Sequence, residues 1–164
     1  MHQMSFGWVL STAGGLHSAK SDDGCDGRAS SLRAEAVGML SISLFIALMT
    51  KHRKCTDIKI IYVSDNLELI NRNKEHLNYI NPYPNNTLSA EFDITEQNYL
   101  TNKIYEIETS FQHVYSHQDT KTRGKMSIEA ILNVEADRLA GNYQNELGAC
   151  SPITHMYPSL LNSR

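Results

Sequence analysis

Cysteine is scarce in this chain and badly placed for pairing. The 3 cysteines, Cys25, Cys55 and Cys150, are odd in number and far apart, with no Cys-x-x-Cys pair. That spacing argues against a disulfide framework or a cysteine zinc site and points to a reducing, intracellular compartment. Surplus positive charge is also missing. The formal net charge of −3 excludes a globally basic nucleic-acid binder and leaves only local clusters to meet a polyanion. A secretory leader is not evident, because Met1-His2-Gln3-Met4 has neither a basic start nor a long apolar core. The longest uncharged run, residues 36–50, is short for a membrane span and is interrupted by Gly38, Ser41 and Ser43. No membrane partner is expected. Without a leader, the glycosylation sequon Asn85-Asn86-Thr87 carries no meaning. No internal repeat stands out.

What is present is enough for one domain with a core: 164 residues, 41% apolar and 20% charged. Residues 5–12 read as a strand, Ala13-Gly14-Gly15 as a turn, and residues 16–21 as the returning strand of a hairpin. Residues 22–28 are polar and glycine-rich and read as a loop. Ser30 or Ser31 caps a long, mostly buried helix over residues 32–50, closed by Lys51, His52, Arg53 and Lys54. Residues 58–66, Ile-Lys-Ile-Ile-Tyr-Val-Ser-Asp-Asn, have the near-continuous apolar pattern of a central strand covered on both faces. A helix over residues 66–80 follows, with Leu67, Ile70, Leu77 and Ile80 inward. Pro82 and Pro84 mark a loop. A helix over residues 93–107 buries Ile94, Leu100, Ile104 and Ile107, residues 109–115 form a strand, and residues 116–125 form a basic loop. The last helix, residues 128–143, turns Ile131, Leu132, Leu139 and Ala140 inward. Residues 1–145 form the domain and residues 146–164 a tail or linker. The order predicts a mixed α/β fold built on one sheet.

Three acids have apolar neighbours. Glu35 lies in the first turn of the long helix, Asp65 ends the central strand, and Asp137 sits in the last helix. Ligand sites of open α/β sheets gather at the carboxyl ends of strands. Carboxylates brought close there repel one another, and a hard cation such as Mg²⁺ relieves the repulsion. Such a cluster holds two metals for phosphoryl transfer. Taken singly, each acid reads as a surface or capping residue; together with the element order they read as a site. His117, after the last strand, titrates near neutral pH and can pass protons, while His113 is assigned no role. Lys121, Arg123 and Lys125 are candidates to hold phosphates, and Phe6 and Trp8 read as core.

Five segments in order carry a resemblance: Ser5-Phe6-Gly7-Trp8-Val9-Leu10, Ser30-Ser31-Leu32-Arg33-Ala34-Glu35-Ala36-Val37-Gly38, Tyr62-Val63-Ser64-Asp65-Asn66, Val114-Tyr115-Ser116-His117-Gln118-Asp119, and residues 132–140 around Asp137. The set resembles the type 1 ribonuclease H domain, as attached to reverse transcriptases of eukaryotic retroelements, over residues 5–143. The resemblance implies a ribonuclease H-like mixed sheet with helices on both faces. It also implies cleavage of the RNA strand of RNA–DNA hybrids with two Mg²⁺ or Mn²⁺ ions. Glu35, Asp65 and Asp137 then hold metal, His117 assists water activation or product release, and Asn66 with Lys121, Arg123 and Lys125 contacts the hybrid. A neighbouring reverse transcriptase domain is an implied partner.

The sequence departs from that pattern at its start. The family opens with a central strand bearing Asp-Gly-Ser, whose Asp bridges both metals, and no Asp precedes Ser5 here. Asp22, Asp23 and Asp26 lie in the loop before the long helix, away from that position. The expectation is therefore a domain without its first strand, with impaired cleavage. The alternative is a non-catalytic module that binds nucleic acid or packs on a reverse transcriptase.

Overall fold

β1 (Met4–Ser11) and β2 (His17–Cys25) pair antiparallel, with Trp8 opposite Ser21 and Phe6 opposite Asp23. These elements come from a computed structural model that describes residues 4–26, 30–78, 86–115 and 126–149. Gly15 closes the hairpin at φ +82°, a left-handed conformation that glycine adopts without a Cβ penalty. β2 continues through Asp22, Asp23 and Gly24, where composition predicts a loop. Pairing with Gly7, Phe6 and Ser5 holds these polar residues extended, so the ladder overrides their propensity.

α1 (Ser31–Arg53) starts where the sequence places it: Ser30 Oγ accepts from Arg33 N at 3.0 Å. It ends with Lys54 in the left-handed region at φ 52°. By length and composition α1 could cross a membrane, but half of its apolar stretch is buried inside the domain, as in a core helix. β3 (Lys59–Ser64) pairs in parallel with β4 (Glu108–His113), and the rings of Tyr62 and Phe111 stack at 5.4 Å. Between them run α2 (Leu67–Leu77), a short 3₁₀ turn (Asn86–Leu88) and α3 (Phe92–Ile104). α4 (Ile128–Ala149) is longer than the sequence predicts.

Four further expectations are corrected. Among the described residues the strands form two separate two-stranded sheets, β1-β2 and β3-β4, instead of one. α2 buries Leu69, Ile70, Asn73 and His76, while Leu67 and Leu77 are exposed and Ile80 lies outside the described residues. α3 buries Ile94, Thr95, Asn98, Thr101 and Asn102, while Ile104 is 71% exposed and Leu100 is also exposed. In the last helix Ile131 is exposed and Leu139 buried. The α2 and α3 corrections share a cause. Polar side chains take core positions there because they satisfy one another. The Ser43 hydroxyl meets the Met39 carbonyl (2.8 Å), the Tyr62 hydroxyl (2.7 Å) and the Asn98 side-chain carbonyl. Tyr62 donates to Asn102 Oδ1 (3.1 Å) and Asn98 Nδ2 to Asn73 Oδ1 (3.2 Å). This network joins α1, β3, α2 and α3 through their buried faces.

α1 spans both half-sheets. Along it β1 runs in the same direction: Met4 lies by Ser30, Phe6 packs on Gly38, and Trp8 Nε1 donates to Ser41 Oγ at 3.2 Å. β3 runs the opposite way, with Tyr62 at Ser43 and the later Ser64 at Glu35. α4 covers the other face of β1. A Cβ on Gly7 would fall 2.8 Å from Leu139 Cβ and 3.0 Å from Ala140 N, and closer still to Ala136 O, so only glycine allows this approach. Ser5 Oγ donates to Ala140 O (2.7 Å), and Lys20 pairs with Glu135 (3.0 Å) from β2.

Candidate functional site

Between the two half-sheets lies a cavity of about 760 Å³. Its lining includes all of β1 and β3, the inward side of α1 between Ala34 and Ile42, and the part of α4 from Ile128 to Ala140.

Glu35, Asp65 and Asp137 all line this cavity. Glu35 is half-buried in the early part of α1, where the Ser30 cap fixes the helix start. Its Oε2 accepts from Ser64 Oγ at 2.6 Å and its Oε1 from Asn66 Nδ2 at 3.2 Å. Burial pushes its pKa above the usual glutamate value. The Ser64 and Asn66 hydrogen bonds oppose that rise, and the negative charges of Asp65 and Asp137 add to it. Asp65 follows the last residue of β3 and is half-buried; its carbonyl oxygen lies 3.2 Å from His113 Nε2. Asp137 is on the exposed side of α4. The three acids thus line one cavity, and the charges of Asp65 and Asp137 bear on Glu35. Among the described residues no group of three acidic, histidine or cysteine side chains is close enough to hold a metal ion as arranged.

Asn66, assigned to substrate by the resemblance, caps α2 by accepting from Leu69 N at 3.1 Å and also holds Glu35. His117, Lys121, Arg123 and Lys125 lie outside the described residues. Sequence reasoning missed Ser64 and His113. Ser64 donates to Glu35 and accepts from Asn66 N at 3.0 Å, tying the end of β3 to both. Its signal was available: a serine beside an acid where an apolar run stops. His113 is paired in register with Ser64 and so comes to the same strand end, which the sequence alone does not reveal.

Fold and site together define a mixed α/β domain of two small sheets with an acid-bearing cavity between them. No protein-family model matches the sequence, no curated protein matches it, and no solved structure matches the fold.

Proposed function

We propose that this domain is of the ribonuclease H type, a metal-dependent nuclease directed at the RNA strand of RNA–DNA hybrids. One observation carries the reading: Glu35 from α1, Asp65 from the end of β3 and Asp137 from α4 line the same cavity, and Glu35 feels the charge of the other two. The donor set suits a hard cation, being carboxylate oxygens that repel until a cation arrives. Glu35, Asp65 and Asp137 would hold Mg²⁺ or Mn²⁺, which supplies an activated water and stabilises the leaving oxygen. Ser64 and Asn66 orient the Glu35 carboxylate toward that task. The basic residues Lys121, Arg123 and Lys125 would contact phosphates, and a reverse transcriptase domain is the proposed neighbour.

The test is hydrolysis of a labelled RNA–DNA hybrid with Mg²⁺ or Mn²⁺. We expect cutting of the RNA strand, abolished by Asp65→Asn and by Asp137→Asn, with duplex DNA left intact. Cutting that survives both substitutions would refute the assignment. A second reading, a module that binds hybrid without cutting it, is favoured by one detail: both Glu35 oxygens already accept from protein donors. It predicts hybrid binding that weakens as salt rises, by roughly 0.7–0.9 in log–log slope per phosphate neutralised, with no cleavage under any metal.

A further inference from the structure

We propose that His113 is a positioning residue: its ring fixes the turn that carries Asp65 and so aims the Asp65 carboxylate at the divalent cation. The cation itself rests on the nuclease reading, which gives His113 no task.

The need for such a residue comes from how differently two of the acids are held. Both carboxylate oxygens of Glu35 accept from side-chain donors, Ser64 and Asn66. Among the described residues no hydrogen bond reaches the Asp65 carboxylate, so its aim depends on its backbone. That backbone lies just past regular pairing. The ladder of β3 and β4 ends with Ser64 opposite His113, and Val114 N donates to Ser64 O at 3.1 Å. Among the described residues no backbone N–H reaches the Asp65 carbonyl.

The side chain of His113 takes that place. Its Nε2 lies 3.2 Å from Asp65 O. A carbonyl oxygen only accepts, so this nitrogen carries a proton and the ring donates. The other polar group of the same peptide unit is tied as well, because Asn66 N donates to Ser64 Oγ at 3.0 Å. A peptide unit is planar, so holding its C=O and its N–H holds the whole plane. That sets the backbone angle of Asp65 and with it the direction of its side chain. One end of the plane is fixed from β4 and the other from β3.

The ring of His113 is placed in turn by its own strand. Its register with Ser64 brings it to the strand end that bears the acid, and alternation puts it on the same face as Phe111. It is half-buried, and the ring of Tyr115 meets it edge to face, with centroids 5.4 Å apart and planes at 80°. Such a contact restricts ring orientation. His113 therefore acts on Asp65 through the backbone and does not touch the carboxylate.

The experiment titrates the full chain with Mn²⁺ by calorimetry and compares it with His113→Phe and His113→Gln. Phenylalanine keeps the packing against Tyr115 and removes the donor, and glutamine restores an N–H donor. Partners that orient metal ligands are worth roughly 10–100-fold in metal affinity or activity. We expect His113→Phe to weaken Mn²⁺ binding by about tenfold or more, and His113→Gln to recover most of the loss. Circular dichroism should be unchanged in both. On RNA–DNA hybrid the same loss should fall on kcat, with KM unchanged. In an Asp65→Asn background His113→Phe should weaken Mn²⁺ binding no further, because His113 acts through Asp65. In the metal-free parent chain the His113 Nε2 proton should exchange slowly with water. Equal Mn²⁺ affinity in the parent and His113→Phe, no recovery in His113→Gln, a full further loss in the Asp65→Asn background, or a freely exchanging Nε2 proton would overturn the proposal. So would failure of His113→Phe to fold, which would make the role structural. Mn²⁺ binding without cutting refutes the nuclease reading alone, and the affinity comparison still decides on His113. A parent chain that binds no Mn²⁺ refutes both.

Discussion

β1 and β3 flank the same cavity, but only β1 is covered on both faces. α1 lies on one face of β1 and α4 on the other, and Gly7 lets α4 settle against the backbone itself. β3 has its Tyr62 and Ser64 buried, while Ile61 stands open on the other face. The two strands are therefore held by different forces. β1 is held by steric fit between helices. β3 is held by its ladder with β4 and by the hydrogen-bonded network through Tyr62, Ser43, Asn98 and Asn102. A strand clamped by packing tolerates little change of volume, and a strand held by polar contacts tolerates little change of chemistry.

The largest break in this comparison should come from Gly7→Val. Its side chain meets the backbone of α4 at Ala136 and Ala140, which cannot swing aside. We expect a loss of about 3 kcal/mol, at the upper end for overpacking, read as a lower urea midpoint with an unchanged slope. Next is Asn98→Ala, which leaves Ser43, Asn73 and Asn102 without a shared partner in the core. About 2 kcal/mol is the scale for orphaning buried polar groups. A double-mutant cycle with Ser43→Ala should show the two costs to be strongly non-additive. Additive costs would mean that β3 does not depend on the network.

Glu35→Gln should have a smaller effect of the opposite sign. A carboxyl whose folded pKa is raised favours the native state while protonated. That advantage is complete below the usual glutamate value of 4.5 and is lost as pH rises through the folded value. The variant is neutral throughout, so its melting temperature should exceed the parent's near neutral pH, and the gap should close in acid. A gap that stays flat with pH would show that burial and the neighbouring acids do not strain Glu35. The smallest change is expected at the clamp between α4 and β2. Hydrogen bonds from Arg138 (2.7 Å) and Lys20 (3.0 Å) hold the Glu135 pKa down to about 2. Its contribution is present above 4.5 and fades as pH falls toward 2. The carboxylate is solvent-screened, so Glu135→Gln should cost only about 0.5 kcal/mol at neutral pH, with the cost vanishing in strong acid.

Sequence alone located most elements because their signals are local. The Gly15 turn, the Ser30 cap, the cationic close of α1 and the apolar run of β3 each depend on a few adjacent residues. The acids of the candidate site stood out for a related reason: Glu35 lies near the start of α1, Asp65 follows the end of β3, and Asp137 interrupts an apolar stretch of α4. The inward faces of α2 and α3 were not legible. Asn73, Asn98 and Asn102 read as solvent-facing until Tyr62 and Ser43, far away in the chain, become their partners.

Element order, helix caps, the hairpin and the positions of Glu35, Asp65 and Asp137 along their elements were determined by the sequence, because backbone preference and apolar period act over a turn or a strand. Tertiary structure alone decided that β2 runs on to Cys25, that among the described residues the strands divide into two small sheets, and that an acid-bearing cavity lies between them. Each of these depends on pairing between residues distant in sequence, and no local pattern encodes which edge of a strand will find a neighbour.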